Sequence, residues 1–171
     1  LLNDPGFVDD FNRFVGQIAP ATRIVSLAQT VLKFCLPGIP DIYQGCELPD
    51  LSLVDPDNRR NVDYQSRQLL LADKDRPGDA KFDLVRRLLT IRRENASLFA
   101  AGSYGPVLVE GPLAHHILAF TRLHENRRLT CAVVIRSAAP VIAHSGLPPA
   151  SFWQDTCLRL DEPLLAREIF A

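Results

Sequence analysis

Residues 37–40 read Pro-Gly-Ile-Pro, and a helix does not pass through them. Proline has no amide donor and its ring clashes with the preceding turn, while glycine loses the most backbone freedom on being fixed, so the chain must change structure here. The pattern upstream is helical. Downstream, residues 39–44 form a short apolar run that predicts a buried strand, and Gly45 closes it. From there to about Gly78 the chain is dense in Asp, Asn and Arg without helical or strand period, apart from a helical turn expected over 64–72. A strand running into a long polar loop is how a scaffold presents binding groups.

Upstream of this break, Phe7, Phe11, Phe14, Val15 and Ile18 recur at spacings of three and four, which predicts an amphipathic helix over 7–19 started by Asp4 and Pro5. Pro20 predicts an interruption. A second helix follows, with Ile24, Leu27, Ala28, Val31, Leu32 and Cys35 on a broad apolar face, and ends at Pro37. Asp79 is placed to cap a third helix over 80–94, with Phe82, Val85, Leu88, Leu89 and Ile91 inward. Its later turns carry Arg86, Arg87, Arg92 and Arg93, which suit the negative end of a helix dipole.

From Gly102 the character changes to short β-branched and aromatic runs punctuated by Gly and Pro. Strands are predicted at 107–110, 116–123, 129–136, 141–143, 152–158 and 164–170, with Glu125-Asn126 as a hairpin turn. Leu129, Cys131, Val133 and Ile135 share one face. The fold class is therefore α+β: a helical part over 1–101 and a small antiparallel β domain over 102–171, with the boundary near Ala101.

Composition narrows the chemistry. A net charge of −1 gives no footprint for nucleic acid or a membrane surface. No apolar run approaches the ~20 residues of a membrane span. Cys35, Cys46, Cys131 and Cys157 are widely separated and form no CxxC pair, so reduced thiols and no metal site are expected. The chain begins with Leu1 and contains no methionine, and its 171 residues are short for an eight-stranded barrel of roughly 250. It is read as a piece of a longer protein.

The polar loop offers Glu47, Asp50, Asp55, Asp57 and Asp63 with Arg59, Arg60, Asn58, Gln44 and Tyr43. Planar polar side chains beside an aromatic ring are what sugar hydroxyls and pyranose faces require. The same residues equally make a self-contained network of ion pairs and turns, and residue types alone leave both open. Asp55-x-Asp57 opens like a calcium-binding loop, but the sixth position is Arg60 rather than Gly and the twelfth is Ser66 rather than Glu. A glycosidase pair must face across about 5–5.5 Å or about 6.5–9.5 Å, which nothing in one loop secures. His115 and His116 are expected to begin a strand with their rings on opposite faces, unable to share an ion. His124 and His144 are expected in exposed turns. No serine lies in a G-x-S-x-G elbow.

Residues 37–64, PGIPDIYQGCELPDLSLVDPDNRRNVDY, resemble the segment around the eighth barrel strand of the maltooligosyl trehalose synthase family, within the α-amylase superfamily. The piece GIPDIYQGCE is similar to strand eight in many α-amylase-type enzymes. The continuation LVDPDNRR-x-VDY is particular to the trehalose-forming branch. Asn61 departs from it, standing where that branch is expected to have proline.

The resemblance implies an arrangement for the whole chain: the last helices and eighth strand of a (β/α)8 barrel, then a C-terminal antiparallel β domain cut short at its end. The helices before Pro37 would be the seventh-helix region and 79–94 the eighth helix. For the parent it implies a cytoplasmic enzyme without cofactor or metal. That enzyme would convert the reducing-end α-1,4 linkage of a maltooligosaccharide into an α,α-1,1 linkage by intramolecular transglycosylation, acting as a (1->4)-alpha-D-glucan 1-alpha-D-glucosylmutase. In this superfamily the catalytic carboxylates end strands four, five and seven. None of those strands lies here, so the chain alone is expected to be inert.

The implied substrate-binding positions are Tyr43, Gln44, Glu47, Asp57, Asn58, Arg59 and Arg60, touching sugar or orienting the missing acids. The implied partners are a maltooligosaccharide and the remainder of the barrel, with no nucleic acid or membrane. Residues 45–78 are expected to help exclude water from the site. Helices meant to pack on strands outside the chain are expected to expose apolar patches and promote self-association. Two alternatives stand beside this reading. One is a piece of another α-amylase-type glucosidase or transferase. The other is a non-catalytic carbohydrate-binding or assembly β module, against which only Tyr104 and Trp153 add ring platforms beyond phenylalanine after Gly102.

Overall fold

The computed structural model describes residues 3–52, 59–72 and 79–160. In chain order its elements are helices α1 (Pro5–Cys35), α2 (Tyr64–Ala72), α3 (Ala80–Glu94) and α4 (Ala96–Ala101), then strands β1 (Ser103–Pro106), β2 (Leu108–Glu110), β3 (Ile117–His124) and β4 (Arg127–Val134), helix α5 (Ala138–Ala143) and strand β5 (Cys157–Arg159). Two 3₁₀ turns, Ala114–His116 and Ala150–Trp153, complete the set.

Helix α1 starts where expected. The Asp4 carboxylate accepts from the amides of Gly6 at 2.9 Å and Phe7 at 3.3 Å, with Pro5 in the first turn. The expected interruption at Pro20 does not occur; one helix of 31 residues runs through it. The missing amide leaves the Gly16 carbonyl without its ladder partner, and Gly16 is exposed, so that carbonyl is open to solvent. Beyond Pro20 the helix is fixed by tertiary packing, from buried Ala21 to Phe34 and Cys35. Before Pro20 the apolar stripe of Phe7, Phe11, Phe14 and Val15 is exposed, with Phe7 and Phe11 stacked at 6.2 Å.

The β part contains a three-stranded sheet of order β1-β3-β4 and a separate pair β2-β5, all antiparallel. The predicted hairpin is present: Glu125, at φ 52°, and Asn126 join β3 to β4 beyond the pair His124–Arg127. Two strand expectations are corrected, and a third finds no pairing partner among the described residues. Residues 141–143 lie in helix α5, because Pro140 falls in a first turn that needs no amide donor and Val141 is wholly buried, with α5 packed on α1. Of 152–158, the first part is a 3₁₀ turn and only the end joins β5. Residues 39–44 form no ladder among the described residues, residue 44 already lying in a turn, and Ile39 is 95% exposed; a strand needs a hydrogen-bonded neighbour, and none of the described segments supplies one. Strand β1 and helix α4 were not anticipated, and the predicted strand at 164–170 lies outside the described residues.

Among the described residues a hydrophobic core crosses residue 101. It joins Phe34 and Cys35 of α1 and Leu84, Val85 and Leu88 of α3 to Phe120 of β3 and Cys131 and Val133 of β4. The alternation of β3 places residue 122 on this same inward face, and that residue is an arginine only 2% exposed. Its guanidinium donates to the carbonyls of Ser103 (3.0 Å), Cys35 (3.4 Å), Leu98 (3.3 Å), Phe99 (3.2 Å) and Gly102 (2.9 Å). It thereby meets the negative ends of both α1 and α4. Arg92 does the same for α1 from the other side, donating to Phe34 O at 2.6 Å and Gly38 O at 3.1 Å while its guanidinium lies 4.5 Å from the centre of the Phe99 ring. Cys35, Cys46, Cys131 and Cys157 are all free thiols.

Candidate functional site: the rim loop after residue 44

The sequence break at 37–40 becomes a change of direction. Helix α1 ends with the Leu36 amide on Leu32 O, and Gly38, at φ 124°, turns the chain in a conformation that side-chained residues avoid. Arg92 grips the carbonyls on both sides of this turn, so the run 39–43 leaves from a fixed point. A tight turn follows: the Cys46 amide donates to Tyr43 O at 3.0 Å, and Gly45 sits at φ 88°.

Two carboxylates then shape the loop. Asp50 accepts from the Ser52 amide at 3.0 Å and hydroxyl at 2.6 Å, and from the Cys46 thiol at 3.7 Å. Asp63 accepts from the Ser66 amide at 3.0 Å and hydroxyl at 2.5 Å, which caps α2. The serine hydrogen bonds hold both carboxyls below their ordinary values, the hydroxyl contributing most in each case. Burial, with the Asp50 carboxylate second, pushes the Cys46 thiol up, which disfavours the reactive thiolate. Because the folded-state values of Asp50 and Asp63 are depressed, their contribution is present above the ordinary carboxylate value of about 3.9 and lost as pH falls through the lower folded value. Amide exchange at Ser52 and Ser66 is therefore expected to accelerate below about pH 4 beyond the intrinsic pH trend; unaltered protection at pH 2 would refute the two caps.

The loop is tied by Arg67, a residue that sequence reasoning missed. It pairs with Glu47 through Nε and Oε1, and donates to Gly45 O at 2.8 Å and Asp63 O at 2.9 Å. Its signal was faint: an arginine four residues after a helix-capping aspartate, in a stretch already crowded with charge. Lys81 Nζ adds a contact to Leu48 O at 3.4 Å from α3. Two hollows result. A polar groove of about 250 Å³ is lined by Gln44, Asp50, Ser52, Arg60, Asn61 and Asp63, among others. On the other side of Arg67 lies an apolar cavity of about 580 Å³ whose walls include Phe34, Ile42, Tyr64, Leu71, Phe82 and Leu89.

Of the residues singled out from sequence, Gln44 and Arg60 line the polar groove. Glu47 turns away from it into the pair with Arg67 and faces the apolar cavity. Tyr43 is half-exposed on the run leading into the turn, and Arg59 is exposed where the described chain resumes. Asp57 and Asn58 lie outside the described residues. The polar groove has the hydrogen-bonding chemistry for hydroxyl-rich ligands, with arginine and amide donors and carboxylate acceptors among its lining residues.

The histidines stand elsewhere; the expected geometry of His115, His116 and His124 is corrected, while His144 lies in an exposed turn as expected. His115 and His116 occupy a 3₁₀ turn rather than a strand, with ring centroids 4.1 Å apart instead of on opposite faces. His124 ends β3, partly buried, with Nε2 4.0 Å from Glu125 Oε1. His144 is exposed at the end of α5, its Nδ1 at 2.7 Å from Pro140 O. Among the described residues no three His, Cys, Asp or Glu side chains are grouped to hold a metal ion, and no helix is long and apolar enough to cross a membrane.

No protein-family model matches the sequence. Among curated proteins, those named for maltooligosyl trehalose synthase in two strains of Mycobacterium tuberculosis, CDC 1551 / Oshkosh and ATCC 25618 / H37Rv, are each 39% identical over 156 residues, 91% of this chain. Among solved structures, the maltooligosyltrehalose synthase of Arthrobacter ramosus superposes with a TM-score of 0.74 at 34% identity over 92% of the chain. The likeness is to maltooligosyl trehalose synthase. A point variant of the same Arthrobacter synthase gives a TM-score of 0.72 at 31% identity over 94%. The resemblance read from residues 37–64 is thus borne out across nine-tenths of the chain. The chain spans about a fifth of the length of these synthases.

Proposed function

We propose that this chain is a segment from the carboxy-terminal part of an enzyme that converts the reducing-end α-1,4 linkage of maltooligosaccharides into an α,α-1,1 linkage, the reaction of trehalose biosynthesis. The observation that carries the reading is the alignment with maltooligosyl trehalose synthase over nine-tenths of the chain, at 39% identity in sequence and a TM-score of 0.74 in structure. In this reading residues 1–101 complete a cytoplasmic (β/α)8 barrel and 102–171 form its C-terminal β domain. Residues 39–44 are the eighth strand, which finds its ladder partners only in the rest of the barrel.

The chemistry is a retaining transfer without cofactor. A carboxylate supplied by the rest of the enzyme forms a glycosyl intermediate, and the released glucose, rather than water, recaptures it. The rim loop carries the substrate contacts. Gln44, Arg59 and Arg60 hydrogen-bond sugar hydroxyls, Tyr43 offers a ring platform, and Glu47 acts by orienting its neighbours, in keeping with its pair to Arg67. Asp57 and Asn58 enter on the resemblance of their motif. The alternative of a carbohydrate-binding β module is less favoured because Trp153 stands edge-on against Phe152 at 5.3 Å, which leaves the half-exposed Tyr104 as the remaining ring platform beyond phenylalanine among the described residues after Gly102.

The test is turnover of maltopentaose by the longer synthase carrying this segment, by its Arg60→Ala variant, and by this chain alone. The expected result is trehalose-ended product from the first, a fall of roughly 10- to 100-fold in kcat/KM for the variant, and no turnover by the chain. Hydrolysis alone from the longer enzyme would point to another α-amylase-type activity. Turnover by the chain itself would require catalytic acids within these residues and would sink the reading.

A further inference from the structure

Arg67 is the point through which the described rim is connected. Its acceptors come from both ends of the loop: Gly45 O and the Glu47 carboxylate on the way in, and Asp63 O on the way out. Closing a long loop carries an entropic cost, and a planar guanidinium with several coplanar donors fixes the closed geometry better than a point charge does. Arg67 also lines both hollows, so with Glu47 it forms the partition between the polar groove and the apolar cavity. Gln44 precedes the turn it grips, and Arg60 precedes Asp63 on the returning strand of the loop.

Nothing about Arg67 serves a core. Helix α2 has no buried residue, and the acceptors of the Arg67 guanidinium, Gly45 O, the Glu47 carboxylate and Asp63 O, all belong to the loop rather than to the core. Removing it therefore loosens the rim rather than the fold.

We infer that Arg67 is a positioning residue for the reaction: by drawing Gly45, Glu47 and Asp63 together it sets the separation of Gln44 and Arg60 across the groove, and with it the seating of a glucosyl unit and the exclusion of water. This rests on the proposed function. A displacement of about 1 Å at a binding group can cost 10²-fold in rate. Loosening the wall that retains glucose also gives water access to the intermediate.

The experiment compares the longer synthase with its Arg67→Ala and Arg67→Lys variants on maltopentaose. It measures kcat and KM, the ratio of free glucose to trehalose-ended product, and thermal unfolding of each protein. Both variants are expected to lose on the order of 100-fold in kcat/KM and to release a larger share of glucose, with unfolding shifted by only a few degrees. Lysine fails because one ammonium does not reproduce the fork. An unchanged kcat/KM and product ratio in Arg67→Ala overturns the inference. So does full rescue by lysine. A loss explained wholly by less folded protein, with kcat, KM and product ratio per folded molecule unchanged, overturns it as well. If the unsubstituted synthase forms no trehalose-ended product, the proposed function itself falls and takes this inference with it, a result read before any variant is made.

Discussion

Replacing Arg122 with methionine is expected to destabilise the fold by about 3–5 kcal/mol, a large part of the stability a domain of this size has. The substitution keeps much of the volume and removes the donors. Five backbone carbonyls, those of Cys35, Leu98, Phe99, Gly102 and Ser103, then lose a shared partner at a position where the arginine is 2% exposed. Each buried acceptor left without a donor costs on the order of 1–3 kcal/mol, and the values do not add fully because some keep a second partner, as Leu98 O keeps the Gly102 amide. Arg122→Lys restores the charge but not the reach, since one ammonium does not span carbonyls from the ends of two helices and the start of β1. It is expected to recover less than half of the loss. Urea unfolding measures this directly. With a slope of about 2 kcal/mol per molar, the methionine variant should unfold roughly 2 M earlier. A midpoint within about 0.3 M of the parent would mean that the junction between helices and sheet does not depend on this side chain.

Phe120→Ala is expected to cost about 3–5 kcal/mol, while Phe14→Ala, the same chemical change, is expected to stay within about 0.5 kcal/mol. Phe120 is 0% exposed, lies opposite Cys131 in the sheet and meets the Tyr104 ring at 5.3 Å; Phe14 is 57% exposed on the amino-terminal half of α1. Deleting the first leaves a cavity between sheet and helices that neighbours fill only in part. Deleting the second removes a ring mostly in water. Thermal unfolding of the two variants at several protein concentrations decides the matter. A cost at Phe14 that grows with concentration would show that the aromatic stripe is covered by a second copy of the chain.

What could be read in advance was whatever depends on neighbours in sequence. Asp4 and Asp79 announced their helices because a cap is a contact across two or three residues, and the Asp79 carboxylate does accept from the Lys81 amide at 2.8 Å. Glu125-Asn126 announced its hairpin for the same reason. The alternation of Cys131 and Val133 announced the buried face of β4. Pro20 misled because its effect depends on which carbonyl loses its donor and whether water reaches it, and that is settled by packing. Residues 141–143 misled because a short apolar run has no period of its own, and the cue lay outside it, in Ser137-Ala-Ala-Pro.

The candidate site shows the same division. The loop as a place was legible from the Pro-Gly-Ile-Pro break and the density of charge. The roles of its residues were not. Glu47 could be listed as a polar group but not assigned to Arg67, twenty positions away, and Arg122 carries five acceptors that no spacing rule brings together. Residues 39–44 have the composition of a strand, yet a strand is a relation between two segments, and the described residues contain only one of them.

The proline inside α1 gives that helix a seam. A hydrogen-bonded ladder transmits cooperativity only where its rungs are continuous, and here one rung is missing between Gly16 and Pro20. On the carboxyl side, Arg92 and Arg122 and the shared core clamp the last turns. On the amino side, about four turns rest on local bonds and their own capping aspartate. Those turns are free to unzip and rewind on their own, so amide exchange along α1 is expected to divide into a fast block and a slow block that meet at Pro20. The long helix is one object in shape and two in the energy needed to open it.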